Sequence, residues 1–178
     1  LAAAIAALSL IGPVWLAALV VGIVVLIVAG ITSLIGRSRL RKATPPVVIS
    51  SANGHEYKNG GPRSCVEEAW QRIVKGEDVL ESLIAGVNIV ELDPTEMYVG
   101  YGGLPNADGV VQLDASVMHG PTKRAGSVAS LEDIATPSLV AKAVMDYTDH
   151  IMLVGEGARR FAIEMGFKPQ NLLTEASR

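Results

Sequence analysis

The residues able to do chemistry gather around one stretch, Val99-Gly100-Tyr101-Gly102-Gly103-Leu104-Pro105-Asn106-Ala107-Asp108-Gly109. Three glycines in four positions mean backbone that a side chain would forbid, or backbone closely approached by another group. Such a loop can cradle phosphate when it opens a helix and carries a lysine. This one has no lysine and runs into the apolar Val110–Ala115 segment. The other reading is a sharp connection between two elements. Asp93 and Asp114 flank the loop and can orient it through hydrogen bonds or cap its turns. Ser64, Ser116 and Ser127 offer hydroxyls, but none stands in a Gly-x-Ser-x-Gly elbow or has a histidine partner. His55, His119 and His150 are scattered without metal-ligand spacing, so no metal site is expected. Cys65 opens a helix, where a thiol pKa can fall, or simply fills space under the cap. Glu156, between two glycines, reads as a charge complementing a helix start. Together these side chains make no complete catalytic constellation.

The elements that would position them follow from spacing and punctuation. Pro46-Val47-Val48-Ile49-Ser50 predicts a first buried strand, with Ser51-Ala52-Asn53-Gly54 as its exit turn. Ser64 with Glu67 forms a capping box for a helix over Cys65–Lys75 that ends at Gly76. Asp78 and Glu81 repeat the signal for Val79–Leu92, with Leu80, Leu83, Ile84, Val87 and Val90 at helical spacing. Pro94 stops that helix. After the loop, an Asn106–Gly109 turn leads to strands over Val110–Met118 and about Arg124–Ser130, joined by His119-Gly120-Pro121. Thr136 and Pro137 start a helix through about Tyr147. Ile151–Val154 predicts a buried strand, and Ala158–Met165 a helix closed by Gly166. The pattern is α/β with separated runs, an α+β arrangement.

The front of the chain is different. No charged residue precedes Arg37, and Val14–Ile35 is about 22 residues, roughly 33 Å as a helix, which matches a bilayer core. Trp15 sits at one end and Gly22, Ala29 and Gly30 are the small residues membrane helices use for close approach. Arg37, Arg39, Arg41 and Lys42 then form a basic cluster; the basic residues follow the apolar run, which disfavours a signal peptide. The positive-inside rule predicts the following part on the cytoplasmic side. All 18 acidic residues lie after Pro45, against 11 basic ones, so this part carries −7 and no nucleic-acid partner is expected. One cysteine excludes an internal disulfide. The chain opens on Leu1 without an initiator Met, and Thr174–Arg178 reads as the first turn of a helix capped by Thr174, so a longer protein is expected at both ends.

Several motifs recur together in one known family. Pro46–Ser50, Asp93-Pro94-Thr95, Val99–Asn106, Asp108–Val111, Leu113–Met118, Ala125–Ala129 and Leu153–Ala158 occur in family order, and on them residues 46–178 resemble the α-segment of the N-terminal-nucleophile asparaginases, closest to the glycosylasparaginase branch. Gly12–Leu19, the Val/Leu/Ile run and Gly36–Pro45 resemble the second half of an actinobacterial phage-holin-like membrane hairpin. The first resemblance implies an αββα sandwich made as a precursor that cuts itself before a threonine in a His-Asp-Thr motif. The freed threonine attacks an aspartyl side-chain amide, its own amino group acting as base, and an oxyanion hole stabilises the intermediate. No His-Asp-Thr occurs here, and Asp149-His150 has the wrong order. The nucleophile is therefore expected in a β-segment beyond Arg178. The branch usually carries a tryptophan after its first strand. Here Ser51-Ala52-Asn53-Gly54 stands there, which leaves asparagine, N4-glycosylated asparagine and β-aspartyl peptides all open as substrates.

The resulting expectation has three parts: a hydrophobic membrane segment over 1–36 with its main span at 14–35, a basic linker over 37–45, and over 46–178 an incomplete αββα sandwich preceded by the transmembrane helix. This chain supplies no catalytic residue. Ser51, Asn53, Gly102, Gly103 and Leu104 are expected along one side of the substrate pocket. No cofactor is implied. The expected partners are an asparagine-type small substrate, the β-segment of the same precursor, the lipid bilayer and a further copy of the chain. The alternative is a non-enzymatic, holin-like membrane protein carrying an inactive asparaginase remnant.

Overall fold

A computed structural model describes residues 14–43 and 45–178. The chain divides at Pro45/Pro46 into two compact units.

In the first unit, α1 (Val14–Ala43) is one continuous helix. Its described apolar side chains are exposed from Leu19 to Leu34, apart from a half-buried Val21. Among the described residues no helix is long and apolar enough to cross a membrane. The expected span over 14–35 is thus not found. Residues 1–13 of the expected membrane segment, and the side chains of the basic cluster at 37–42, lie outside the described residues.

The second unit is a mixed α/β body. After the short α2 (Asn53–Glu56) come α3 (Cys65–Val74) and α4 (Val79–Glu91), then strands β1 (Leu113–His119) and β2 (Arg124–Leu131), α5 (Pro137–Tyr147), β3 (Met152–Val154) and α6 (Gly155–Glu164). The start of α3 follows its sequence signal: the Ser64 N–H donates to the Glu67 carboxylate at 2.8 Å. Asp78 accepts from the Glu81 N–H at 3.1 Å and starts α4.

The sheet has three strands in the order β1-β2-β3. β1 and β2 pair antiparallel, with a bulge between Leu113 and Ala115; β2 and β3 pair parallel across the α5 crossover. One face is covered. Val117, Val128, Leu131, Val140 and Val144 are buried there with Leu80 and Ile84 of α4, each such side chain contributing about 1.5–3 kcal/mol. α5 lies so close to β2 that a Cβ on Gly126 would collide with the Ala141 carbonyl and the Met145 N–H. The other face is bare: Ser116 and Met118 of β1 and Met152 and Val154 of β3 are exposed.

Four expectations change. Pro46–Ser50 is not a strand. No strand of the described sheet pairs with it, and Val47 and Ile49 are 75% and 87% exposed. β3 is exposed rather than buried, because it is the edge strand and its second face has no cover. α6 begins at Gly155 rather than Ala158, so Glu156 lies in its first turn, 3.7 Å from Arg159. The chain end, expected to start a helix at Thr174, closes a turn in which the Thr174 N–H donates to the Ser177 hydroxyl at 3.0 Å.

The close approach at Gly126 gives a test. Gly126→Ala forces α5 off β2 and lowers stability by about 1–3 kcal/mol, read from urea unfolding followed by circular dichroism.

Candidate functional site

The glycine-rich loop is built on three carboxylates within six residues, each taken out of water and met by hydrogen-bond donors. Glu96 has no exposed surface. Its Oε2 accepts the N–H groups of Tyr98 at 2.8 Å and Val99 at 2.7 Å, while Oε1 accepts the Asn53 side-chain amide at 2.6 Å. Asp93 Oδ1 accepts from the Thr95 N–H at 3.0 Å and its hydroxyl at 2.6 Å, and Oδ2 accepts the Asn59 N–H at 2.8 Å. Glu91, at the end of α4, accepts the Ser138 N–H at 3.0 Å, the Ser138 hydroxyl at 2.9 Å and the Asn88 amide at 2.6 Å.

The two loop carboxyls are therefore clamps. Asp93 and Glu96 fasten the start of the loop to the segment over 53–59, and Glu91 fastens α4 to the start of α5. Burial alone would raise the Asp93 pKa, but the donors from Thr95 and Asn59 outweigh it and hold the group below the usual carboxylate range. For Glu91 burial wins over its three donors and the pKa is raised.

Past Glu96 the backbone closes on itself. The Tyr101 N–H donates to the Glu91 carbonyl at 2.6 Å, Leu104 to Met97 at 2.9 Å, and Gly102 to the Leu172 carbonyl at 2.8 Å. Gly100 and Gly102 have φ of +66° and +96°, and a Cβ on Gly100 would strike the Glu91 backbone. These glycines serve a tight connection, the plainer of the two readings of the motif. Asn106 completes it: its side-chain oxygen accepts from Asp108 and Val110, and the Gly109 N–H returns to the Asn106 carbonyl.

Of the residues expected along a pocket, Asn53 is joined to the loop through Glu96. Gly102 and Gly103 are buried, so they act through backbone alone; Ser51 and Leu104 are exposed. Asp93 orients the loop as expected, whereas Asp114 Oδ1 accepts the Ser130 N–H of β2 at 2.7 Å. Cys65 is buried, and burial, with the Glu91 carboxyl beyond it, raises its thiol pKa; the lowered value a helix start can give is not found. His119 contacts Thr122 at 2.8 Å and Asp78 at 3.2 Å, joining the hairpin to α4, while His55 and His150 are exposed. Ser127 donates to the Ile151 carbonyl and Ser116 lies beside it on the bare face. Sequence reasoning missed Glu91 and Glu96. Their one signal was a pair of acidic residues without a basic neighbour, flanking Asp93.

A cavity of about 590 Å³ lies elsewhere. Leu83 and Val87 of α4, Tyr98 and Val99 of the loop, and Ser116 of β1 line it, with Glu91 among them. None of the five expected pocket residues does. Its walls are the apolar face of α4 and the unpaired edge of β1.

Residues 44–178 match the family described as Asparaginase. The chain belongs to the asparaginase family. This asparaginase-family chain is 44% identical over 145 residues to an N(4)-(β-N-acetylglucosaminyl)-L-asparaginase of Elizabethkingia miricola, covering 82% of this chain and 40% of that protein. It is 38% identical over 115 residues to a plant-type L-asparaginase of Pyrococcus horikoshii, covering 65% and 37%. It is 34% identical over 131 residues to an isoaspartyl peptidase/L-asparaginase of Mus musculus, covering 72% and 40%. The chain thus spans about two-fifths of the length of these relatives. Residues 1–53 match the actinobacterial Holin-X family of holin superfamily III.

Two outcomes follow from the clamps. Glu96→Ala strands the Asn53 amide and two backbone donors, costing about 2–4 kcal/mol, and hydrogen exchange at Tyr98 and Val99 accelerates; Glu96→Gln retains part of the protection. Because the folded pKa of Glu91 is raised, its contribution favours the fold below the ordinary carboxylate range and is lost as pH rises through the folded value. Glu91→Gln removes that loss, which a series of unfolding curves across pH will show as a flatter profile.

Proposed function

We propose that this chain is the N-terminal, α portion of a self-processing amidohydrolase that cleaves the side-chain amide of asparagine, N4-glycosylated asparagine or β-aspartyl peptides. The observation that carries the reading is the match along 44–178, with 44% identity to the Elizabethkingia protein across 82% of this chain. The relatives' names agree on an aspartyl amide and differ on what is attached to it, so the substrate is assigned at that level.

The threonine nucleophile comes from a β-segment of the same precursor. Two features of the fold support a second segment. The sheet has one bare face, and the Pro46–Ser50 run, expected as a strand, has exposed apolar side chains and, among the described residues, no pairing partner. In this reading Ser51 and Leu104 present side chains along one wall of the pocket. Asn53 and Gly102-Gly103 shape that wall, the first through Glu96 and the glycines through their backbone.

We also infer that the front of the chain is seated in lipid, with residues from Arg37 onward on the cytoplasmic side. The support is the absence of any charge before Arg37, the basic cluster that follows, and the Holin-X match over 1–53. A purely holin-like, non-enzymatic protein would account for that match but gives no reason for the one across 44–178.

One experiment tests both inferences. The precursor, expressed with its downstream coding sequence, should cut itself before a threonine and release aspartate from at least one of the three amides, with the activity floating with the membrane fraction. Residues 1–178 alone should release none. A precursor that stays whole and leaves all three amides intact overturns the enzyme reading; activity confined to the soluble fraction overturns the membrane one.

A further inference from the structure

Two Asn-Gly steps occur in the chain, Asn53-Gly54 and Asn59-Gly60, six residues apart and in opposite surroundings. Asparagine followed by glycine is the sequence most open to attack of the next backbone nitrogen on the side-chain amide, because glycine puts no Cβ in the way.

At Asn53 the fold blocks that attack from both sides. The amide is held by Glu96 at 2.6 Å, and the Gly54 N–H, which would be the nucleophile, donates to the Ser51 carbonyl. Gly54 is buried at the start of α2, and a Cβ there would lie 2.7 Å from Ser50.

At Asn59 nothing blocks it. Asn59 and Gly60 are both exposed, with φ of +46° and +70°, in a turn closed by the Gly61 N–H on the Lys58 carbonyl. Among the described residues neither the Asn59 side chain nor the Gly60 N–H has a hydrogen-bond partner. A Cβ on Gly60 would meet no atom within 4 Å, so there is room for a ring to form.

We propose that Asn59 is a site of spontaneous deamidation, and that its conversion loosens the glycine-rich loop. The Gly60 nitrogen forms a bond to Asn59 Cγ; the Cγ–Nδ2 bond breaks, and ammonia leaves with the proton from Gly60. Water then opens the five-membered imide at either carbonyl. One opening gives aspartate, the other isoaspartate, whose main chain runs through the former side chain and leaves the α-carboxylate free.

Either product places a new negative charge on the residue whose N–H is held by Asp93 at 2.8 Å. Glu96 is part of the same anchorage, through Asn53. The carboxylates repel, and in isoaspartate the added methylene also disrupts the Lys58–Gly61 turn. The tether that joins the segment over 53–59 to the loop at Asp93 is therefore the part the reaction weakens. This inference does not depend on the proposed enzymatic reading.

The test is to warm the full chain in detergent at mildly alkaline pH, folded and in urea, and to map both sites by mass spectrometry with isoaspartate resolved from aspartate. In the folded chain Asn59 should convert about tenfold or more faster than Asn53, the factor expected from two hydrogen bonds. In urea the two should convert at similar rates. Aged chain should exchange amide hydrogens faster at Tyr98 and Val99, and Asn59→Gln, aged alongside, should not. Equal folded-state rates, a faster Asn53, or no conversion at Asn59 overturns the site. Conversion without a change in loop exchange overturns its coupling to the loop.

Discussion

The region between α4 and β1 depends on burying carboxylates without cations. Among the described residues Glu91, Asp93 and Glu96 form no ion pair, and each is met by N–H or O–H donors from the backbone or from short polar side chains. A carboxylate buried in this way accepts several directed bonds at once, and removing it strands every donor. That is why one side chain, Glu96, can fix both the entry to the glycine-rich loop and the Asn53 segment. The same arrangement leaves Asp93 and Glu91 electrostatically different. Donors outweigh burial at Asp93 and burial outweighs donors at Glu91.

The second constraint is the sheet. Three strands covered on one face by α5 and α6 bury a continuous apolar core, but the outer face and the first edge stay open. Open edges and bare apolar faces are liabilities for a chain on its own. In a two-sheet sandwich they would be contact surface. The 590 Å³ cavity follows the same logic, because the apolar stripe of α4 and the unpaired β1 line it.

Helix starts were legible from sequence wherever a local signal sufficed: the Glu67 arm of the capping box at Ser64, Asp78 at α4, and Thr136-Pro137 at α5 all stand where the spacing puts them. The Asn106–Gly109 turn and the β1–β2 hairpin were legible for the same reason. What failed was what depends on distant partners. An apolar run such as Val47-Val48-Ile49 becomes a strand only if another strand pairs with it, and periodicity carries no information about that partner. The front segment shows the same limit, since a run of apolar residues describes a transfer preference and not where the helix is placed. At the site, Asp93 was legible because it flanks the glycines. Glu96 was not, because an acidic residue beside a loop normally points to water, and only the approach of Asn53 and two backbone donors shows that it is buried. Cys65 fits the plainer of its two readings, a small residue under the helix cap: burial, with Glu91 near it, raises its thiol pKa against what a helix start would do.

The bond from the Gly102 N–H to the Leu172 carbonyl joins the loop to the segment that follows α6. Leu172 is itself anchored among Val111, Leu113 and Ala135. On a ribosome, which releases the chain from its N-terminus, α3 and α4 can pair early because their contacts are local. The loop between α4 and β1 cannot take its final form until Leu172 has emerged. The most glycine-rich stretch is thus set later in synthesis than the helices that precede it, and its shape reports that the chain as far as Leu172 has been made.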